Sequence, residues 1–391
     1  EATPPYATGA TLRRLIDEGV LSPAFRDLDG PALPLDRPLY RHQEEAIRKA
    51  ALGRNLVIAT GTGSGKTESF LLPILNHLLE EHRKGTLTPG VRALLLYPMN
   101  ALANDQLKRL RQLLAAVPYI TFGRYVGETK ERRQDAAVQF TELNPGERRL
   151  PNELLSREEM RATPPHILLT NYAMLEYLLL RPADMDLFEG EHGGRWRFIA
   201  LDEAHVYDGA KAEELGMLLR RLHARVARGR RLQCIATSAT VGDDPHAVMA
   251  FAAKLFNAPF EWDESDESRR DLVRASRVAL PDGPFWGPLT AEGYKELARE
   301  DDPGHALLRM TGGRYGDPAT ALAHEQAMAE LRRSLAKGPR SFDDLAQLVF
   351  GGQADPGGGL AALVDVGGRV RDASGRPVLS ARYHLFARAT E

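Results

Sequence analysis

The run Thr60-Gly61-Thr62-Gly63-Ser64-Gly65-Lys66-Thr67 carries the residue types that bind phosphate. It follows an apolar stretch at 56–59 and precedes a helical pattern over 68–79, so it reads as strand, turn and helix. Glycines let backbone N–H groups approach phosphates, and a helix N-terminus adds positive potential. Thr62, Gly63, Ser64 and Gly65 would form the cradle, Lys66 would place a charge on the β and γ phosphates, and Thr67 would offer a hydroxyl to Mg²⁺. Thr60 stands where the common pattern has its first glycine. A simple connecting turn has no need of Gly-Lys-Thr at the helix mouth, so the run predicts ATP or GTP.

A phosphate loop needs a second group to organise the metal. Asp202-Glu203-Ala204-His205 follows the apolar run 198–201, which reads as a strand. Asp202 would hold Mg²⁺ through water, and Glu203 would orient or deprotonate an attacking water. Burying two adjacent carboxylates without a cation would be costly.

These elements sit in an alternating pattern. Strands are expected at 55–59, 91–97, 119–125, 166–170, 198–201 and 232–236. Helices are expected at 68–79, 101–115, 172–180, 211–227 and 246–255. Alternation predicts an α/β fold with a mainly parallel sheet covered by helices, and ligands at the C-terminal strand ends. A charged insertion at about 130–165 reads as a surface excursion with one or two helices. Residues 1–35 read as an accessory segment, 36–260 as the nucleotide domain, and 261–391 as an acidic linker followed by an accessory region. Helices at 321–337, 341–350 and 359–366, with a hairpin around 373–375, leave two readings open: a winged-helix-like unit or a helical spacer.

The length of 391 residues allows two or three domains. Apolar content of 43% with 27% charged residues describes a globular chain, and the net charge of −2 offers no global attraction to nucleic acid. The single cysteine, Cys234, excludes an internal disulfide framework and reads as a buried structural thiol. No apolar stretch is long enough to span a bilayer and no signal peptide opens the chain, so no membrane partner and a cytoplasmic location are expected. A start at Glu1 suggests a piece of a longer protein.

Asp202-Glu203-Ala204-His205 is similar to motif II of the superfamily 2 DEAD/DEAH-box helicases, and the resemblance extends over 36–260. It implies a RecA-like lobe that takes ATP and Mg²⁺, with Lys66, Asp202, Glu203 and His205 as catalytic residues. Tyr40 and Gln43 resemble the adenine-reading element. Pro98, Asn100 and Ala101 resemble motif Ia. Gly127, Glu128 and Thr129, then Thr170, Asn171 and Tyr172, resemble further segments that grip a nucleic-acid backbone. Ser238, Ala239 and Thr240 match motif III, whose hydroxyls couple phosphate state to a neighbouring domain. The implied partners are single-stranded or partly duplex nucleic acid, DNA above RNA, and a second RecA-like lobe.

An arginine-rich motif VI is not found in this chain, so nucleotide binding with weak hydrolysis is expected of it alone. The segments 164–172 and Arg382-Tyr383-His384-Leu385-Phe386 resemble large bacterial helicases of the YprA-like repair group and of the DISARM and Druantia phage-defence systems. That resemblance implies subunits of defence or repair complexes as partners. A nucleic-acid-stimulated ATPase that remodels complexes without unwinding, and a regulatory nucleic-acid-binding module, are the competing expectations.

Overall fold

The computed structural model describes residues 2–3, 6–61, 64–276, 278, 281–335, 340–372, 375 and 377–381, without the side chains of 2–3, 100–102 and 380–381. The strands along the chain are β1 (Ala2–Thr3), β2 (Thr8–Thr11), β3 (Pro38–Tyr40), β4 (Leu56–Ala59), β5 (Ala93–Tyr97), β6 (Phe122–Arg124), β7 (Glu153–Leu154), β8 (Ile167–Asn171), β9 (Phe198–Leu201), β10 (Gln233–Ser238), β11 (Leu272–Arg274) and β12 (Ser380–Ala381). Two compact units result: Thr8–Ala275, and Glu1–Ala7 with Ser276–Glu391.

The larger unit holds an eight-stranded sheet in the order β11-β4-β10-β9-β5-β8-β6-β7. Its pairings are parallel throughout. The central strand β5 reads Ala-Leu-Leu-Leu-Tyr and is buried at every position. A strand with both faces covered has no polar side to show. Successive side chains leave opposite faces. Accordingly Leu56, Ile58, Leu95 and Tyr97 join one layer with Phe70, Ile74 and Leu78 of the helix Lys66–Arg83. Val57, Leu94, Leu96 and Cys234 join the other, beneath the helices Tyr172–Leu180, Gly209–Val226 and Pro245–Phe256. Truncating a side chain such as Leu95 to alanine would cost about 2–5 kcal/mol. Burial raises the Cys234 thiol pKa far above its ordinary range, as expected of a structural cysteine.

Three stretches fold differently from the sequence reading. Residues 8–35 belong to the larger unit, with Leu15 and Phe25 fully buried in the layer of Ile74 and Leu78. The insertion carries its expected helices, Arg133–Leu143 and Arg157–Ala162, but also β7, which pairs with β6 at the sheet edge. The acidic stretch 261–271, expected as a solvated connector, is exposed or half-buried over 261–270, but its last residue is built in. Asp271 is buried and pairs with Arg54 at 2.8 Å, and β11 then adds beside β4.

The smaller unit packs six helices among its described residues: Ala291–Arg299, Pro303–Met310, Pro318–Ala323, Gln326–Leu335, Phe342–Phe350 and Pro356–Arg369. Their core includes Tyr294, Leu307, Met328 and Leu363. The single helix expected at 321–337 breaks at His324-Glu325. The buried Glu325 carboxylate accepts the Met328 N–H at 2.9 Å, the Leu289 N–H at 2.8 Å and the Tyr294 hydroxyl. A side chain that caps a helix start cannot also lie inside a helix. The hairpin turn at 373–374 and the segment 382–386 lie outside the described residues. Among the described residues no helix is long and apolar enough to cross a membrane.

Candidate functional site

The C-terminal ends of β4, β9 and β10 bring together the loop at 60–67, the acidic pair and the Thr237–Thr240 turn. After β4 the chain turns through Gly65, at φ 70° and ψ 37°, straight into the helix at Lys66. Only glycine takes that backbone without strain. Space is restricted as well: a Cβ there would stand 2.4 Å from Gln43 Nε2. Thr60 donates its N–H to the Ser238 carbonyl at 3.0 Å, and its hydroxyl meets that of Ser64 at 2.5 Å. Thr62 and Gly63 lie outside the described residues.

Lys66 Nζ sits 2.7 Å from Glu203 Oε1. Glu203 has φ 52°, in the left-handed region, which costs a non-glycine residue of the order of 1 kcal/mol. Its other carboxylate oxygen, Oε2, is buried without a hydrogen-bond partner. His205 Nδ1 lies 3.3 Å from that oxygen and 3.4 Å from the Ala239 N–H, so one nitrogen faces both an acceptor and a donor. Its tautomer and charge decide which it serves.

Asp202 is buried, and that burial, followed by the neighbouring Glu203 charge, raises its carboxyl above the usual range. Thr237 opposes the shift by donating its hydroxyl to Asp202 Oδ1. The Thr237 hydroxyl oxygen in turn accepts the Glu203 N–H at 3.2 Å. Coupling through a hydroxyl was expected of Ser238 and Thr240. The Ser238 hydroxyl instead donates to the Thr240 carbonyl, and Thr237 makes the contact. Two further residues escaped the sequence reading. Gln106 Nε2 donates to the Thr67 hydroxyl at 3.0 Å, and His42 Nε2 donates to the Ser64 carbonyl at 3.0 Å. Burial lowers the His42 pKa, against the opposing pull of that bond. Gln106 lies on the helix Asn100–Leu114 that the motif Ia residues open, and His42 stands beside Gln43; proximity to those motifs was the available signal.

Gln43 is buried beside the loop. Its Nε2 donates to Gly65 O at 2.9 Å and its Oε1 accepts the Tyr40 N–H at 2.8 Å. One N–H and one lone pair of the amide are not used by these two bonds. Tyr40 stacks against His42, with ring centroids 5.6 Å apart.

The expected backbone-gripping residues divide into two groups. Pro98, Asn171 and Tyr172 line a groove of about 410 Å³ with Met99, Tyr207 and Lys211. Asn171 accepts the Met174 N–H at 2.8 Å and so caps its helix, while the Tyr172 hydroxyl donates to Glu214 at 3.1 Å. Asn100 and Ala101 open the helix Asn100–Leu114. Gly127 and Glu128 are exposed. Thr129 and Thr170 are buried, and their hydroxyls donate to the Arg124 and Tyr125 carbonyls at 2.9 and 2.6 Å. Those two side chains shape the turn rather than face the groove.

A family model described as DEAD/DEAH box helicase matches residues 40–248. The Druantia protein DruE of Escherichia coli (strain UMEA 4076-1) is 34% identical over a match covering 62% of this chain and 18% of that protein. The uncharacterized ATP-dependent helicase YprA of Bacillus subtilis (strain 168) is 29% identical, with 52% and 23% covered. The chain thus spans about a fifth of the length of these curated relatives. Among solved structures, the DUF1998 helicase MrfA bound to DNA aligns with a TM-score of 0.50 at 20% identity. That alignment covers 84% of this chain and 39% of that one, a likeness of fold.

Proposed function

The chain belongs to the DEAD/DEAH box helicase family, and from that premise we propose that residues 8–275 are the ATP-binding lobe of an ATP-dependent helicase or translocase acting on DNA. The observation that carries this reading is the approach of Lys66 to Glu203 beside the buried Asp202, at the mouth of a glycine-started helix. Two carboxylates facing one ammonium leave a local excess of negative charge. The unpartnered Glu203 Oε2 and the raised Asp202 carboxyl are what a site for a divalent cation should have. The described residues contain no cluster of three or more His, Cys, Asp or Glu suited to hold a metal alone. A shell completed by phosphate oxygens and water fits that composition.

In this reading the backbone N–H groups at the start of the Lys66 helix and the Lys66 ammonium bind the phosphates. Thr67 and Asp202 would hold Mg²⁺, whose chemistry is to neutralise charge on the β and γ phosphates. Glu203 accepts a proton from, or orients, the attacking water. Gln43 offers its remaining N–H and lone pair to the adenine edge. Thr237 holds the Asp202 carboxylate, and His205 Nδ1 serves either Glu203, when protonated, or the Ala239 N–H, when not. The groove beside Pro98, Asn171 and Tyr172 holds one strand by its backbone, without reading sequence.

A second lobe would complete the site. Repair or phage defence in the cytoplasm is the proposed setting, supported by the similarity to DruE and YprA. The test has two stages. This chain should bind a fluorescent ATP analogue with Mg²⁺ and lose it in Lys66→Ala. The longer protein that contains it should displace a DNA strand with ATP. Unchanged nucleotide binding in Lys66→Ala would overturn the site. Strand displacement on RNA but not DNA would overturn the substrate.

A further inference from the structure

The opposite, N-terminal ends of the same strands carry a second concentration of charge. Arg54 and Asn55 precede β4, Arg197 precedes β9 and Arg231 stands just before β10, so all lie at N-terminal strand ends. With Arg230 they line a cavity of about 420 Å³. The six residues of β10 separate it from Ser238 by roughly 20 Å, given a rise of about 3.3 Å per residue. It is therefore outside the phosphate loop and outside the groove at Pro98.

The charge there is not balanced. Two carboxylates line the cavity, Glu261 and Asp271. Arg54 pairs with Asp271 at 2.8 Å and with Glu261 at 3.1 Å, and Arg269 also takes Glu261 at 3.1 Å. Among the described residues, no carboxylate lies within ion-pair distance of Arg197, Arg230 or Arg231. In a chain of net charge −2, three uncompensated guanidiniums around one cavity are a local feature. Arg230 is also held in place. Its Nη2 donates to the Gly194 carbonyl, and a Cβ on Gly194 would stand 3.2 Å from that nitrogen. Guanidiniums are planar, weakly hydrated and matched to phosphate oxygens, and an oriented one loses less entropy on binding.

We propose that this cavity is a second phosphate-backbone site, which holds nucleic acid away from the motif-lined groove. The inference rests on the helicase reading for the identity of its polyanion; the arrangement of the arginines stands apart from it. Such a site binds without sequence preference and adds to salt dependence.

The test measures binding of labelled oligo(dT) to this chain by anisotropy over a range of salt concentrations. The triple variant Arg197→Ala, Arg230→Ala, Arg231→Ala should bind about tenfold more weakly at low salt. Its log K against log[salt] slope should be shallower by about 2, three phosphate contacts at about 0.7 each. Its binding of a fluorescent ATP analogue and its thermal melting should not change, and the corresponding triple lysine variant should keep most of the slope. If the alanine triple melts early, Arg231→Ala alone carries the test, with a slope change near 0.7. An unchanged affinity and slope would overturn the second site and leave the helicase reading intact, since the groove still binds. No DNA binding by the parent chain would overturn both. Loss of polyglutamate binding in the variant with DNA binding unchanged would overturn it in favour of an acidic protein partner.

Discussion

Lys66 Nζ and Glu203 Oε1 stand 2.7 Å apart, joining the phosphate-loop lysine to the second carboxylate of the acidic pair. In the proposed site the ammonium is thus engaged where a phosphate would go, and nucleotide binding would exchange one anion for another. Lys66→Ala should weaken nucleotide binding roughly 10–100-fold, the worth of a charged hydrogen bond. Glu203→Gln frees the lysine and should leave nucleotide affinity equal or a few-fold tighter. In the longer protein it should lower turnover by about 10²–10⁴, the usual contribution of a general base. Titration with a fluorescent analogue and steady-state ATPase rates check both.

Thr237 and Ser238 allow a sharper contrast. Thr237→Val keeps the shape but leaves Asp202 and the Glu203 N–H without their shared hydroxyl. It should cost about 1–3 kcal/mol of stability and raise the Asp202 pKa further. Ser238→Ala removes only a bond to the Thr240 carbonyl and should cost under about 1 kcal/mol. Urea unfolding of the two variants distinguishes them; a larger loss in Ser238→Ala would contradict the assignment.

Gly65→Ala meets two penalties, the positive φ and the 2.4 Å approach to Gln43 Nε2. It should lower stability by about 1–3 kcal/mol and reduce nucleotide binding sharply. Adding Gln43→Ala removes the clash but not the backbone strain. The double variant should therefore recover part of the stability and none of the adenine preference, measured as ATP against GTP affinity.

His166 gives a pH dependence. Burial, followed by the nearby Arg92 charge, lowers its imidazole from 6.5 to about 4. Its Nδ1 accepts the Thr121 N–H at 2.9 Å, so the folded state holds it neutral. The unfolded chain takes up a proton below about 6.5 and the folded chain only near 4. Stability should fall as pH drops through that window, by up to about 3 kcal/mol, and the His166 contribution should be flat above it. His166→Gln should flatten that slope in denaturant unfolding from pH 4 to 7.

Much of the site was legible in the chain because its chemistry is local. A glycine-rich turn, a lysine and a helix start are contiguous, and an acidic pair after an apolar run announces a strand end. The strand over Phe198–Leu201 and the helix over Tyr172–Leu180 follow from runs whose period matches their structure. The edge strands β7 and β11, two and three residues long, carry no period of their own and exist only through pairing with β6 and β4.

By itself the sequence determined the glycine-rich turn, the acidic pair and the strand–helix alternation that carries them, since each depends on neighbours within a few residues. Tertiary structure decided which hydroxyl serves. Thr237 and Ser238 are adjacent on β10, successive strand side chains point to opposite faces, and only pairing with β9 sets which one meets Asp202. It likewise spent the Thr170 hydroxyl on the Tyr125 carbonyl, drew Asp271 into the interior beside Arg54, and left Arg197, Arg230 and Arg231 facing one cavity. Those outcomes depend on groups far apart in the chain, and buried polar atoms find partners only once the fold brings them together.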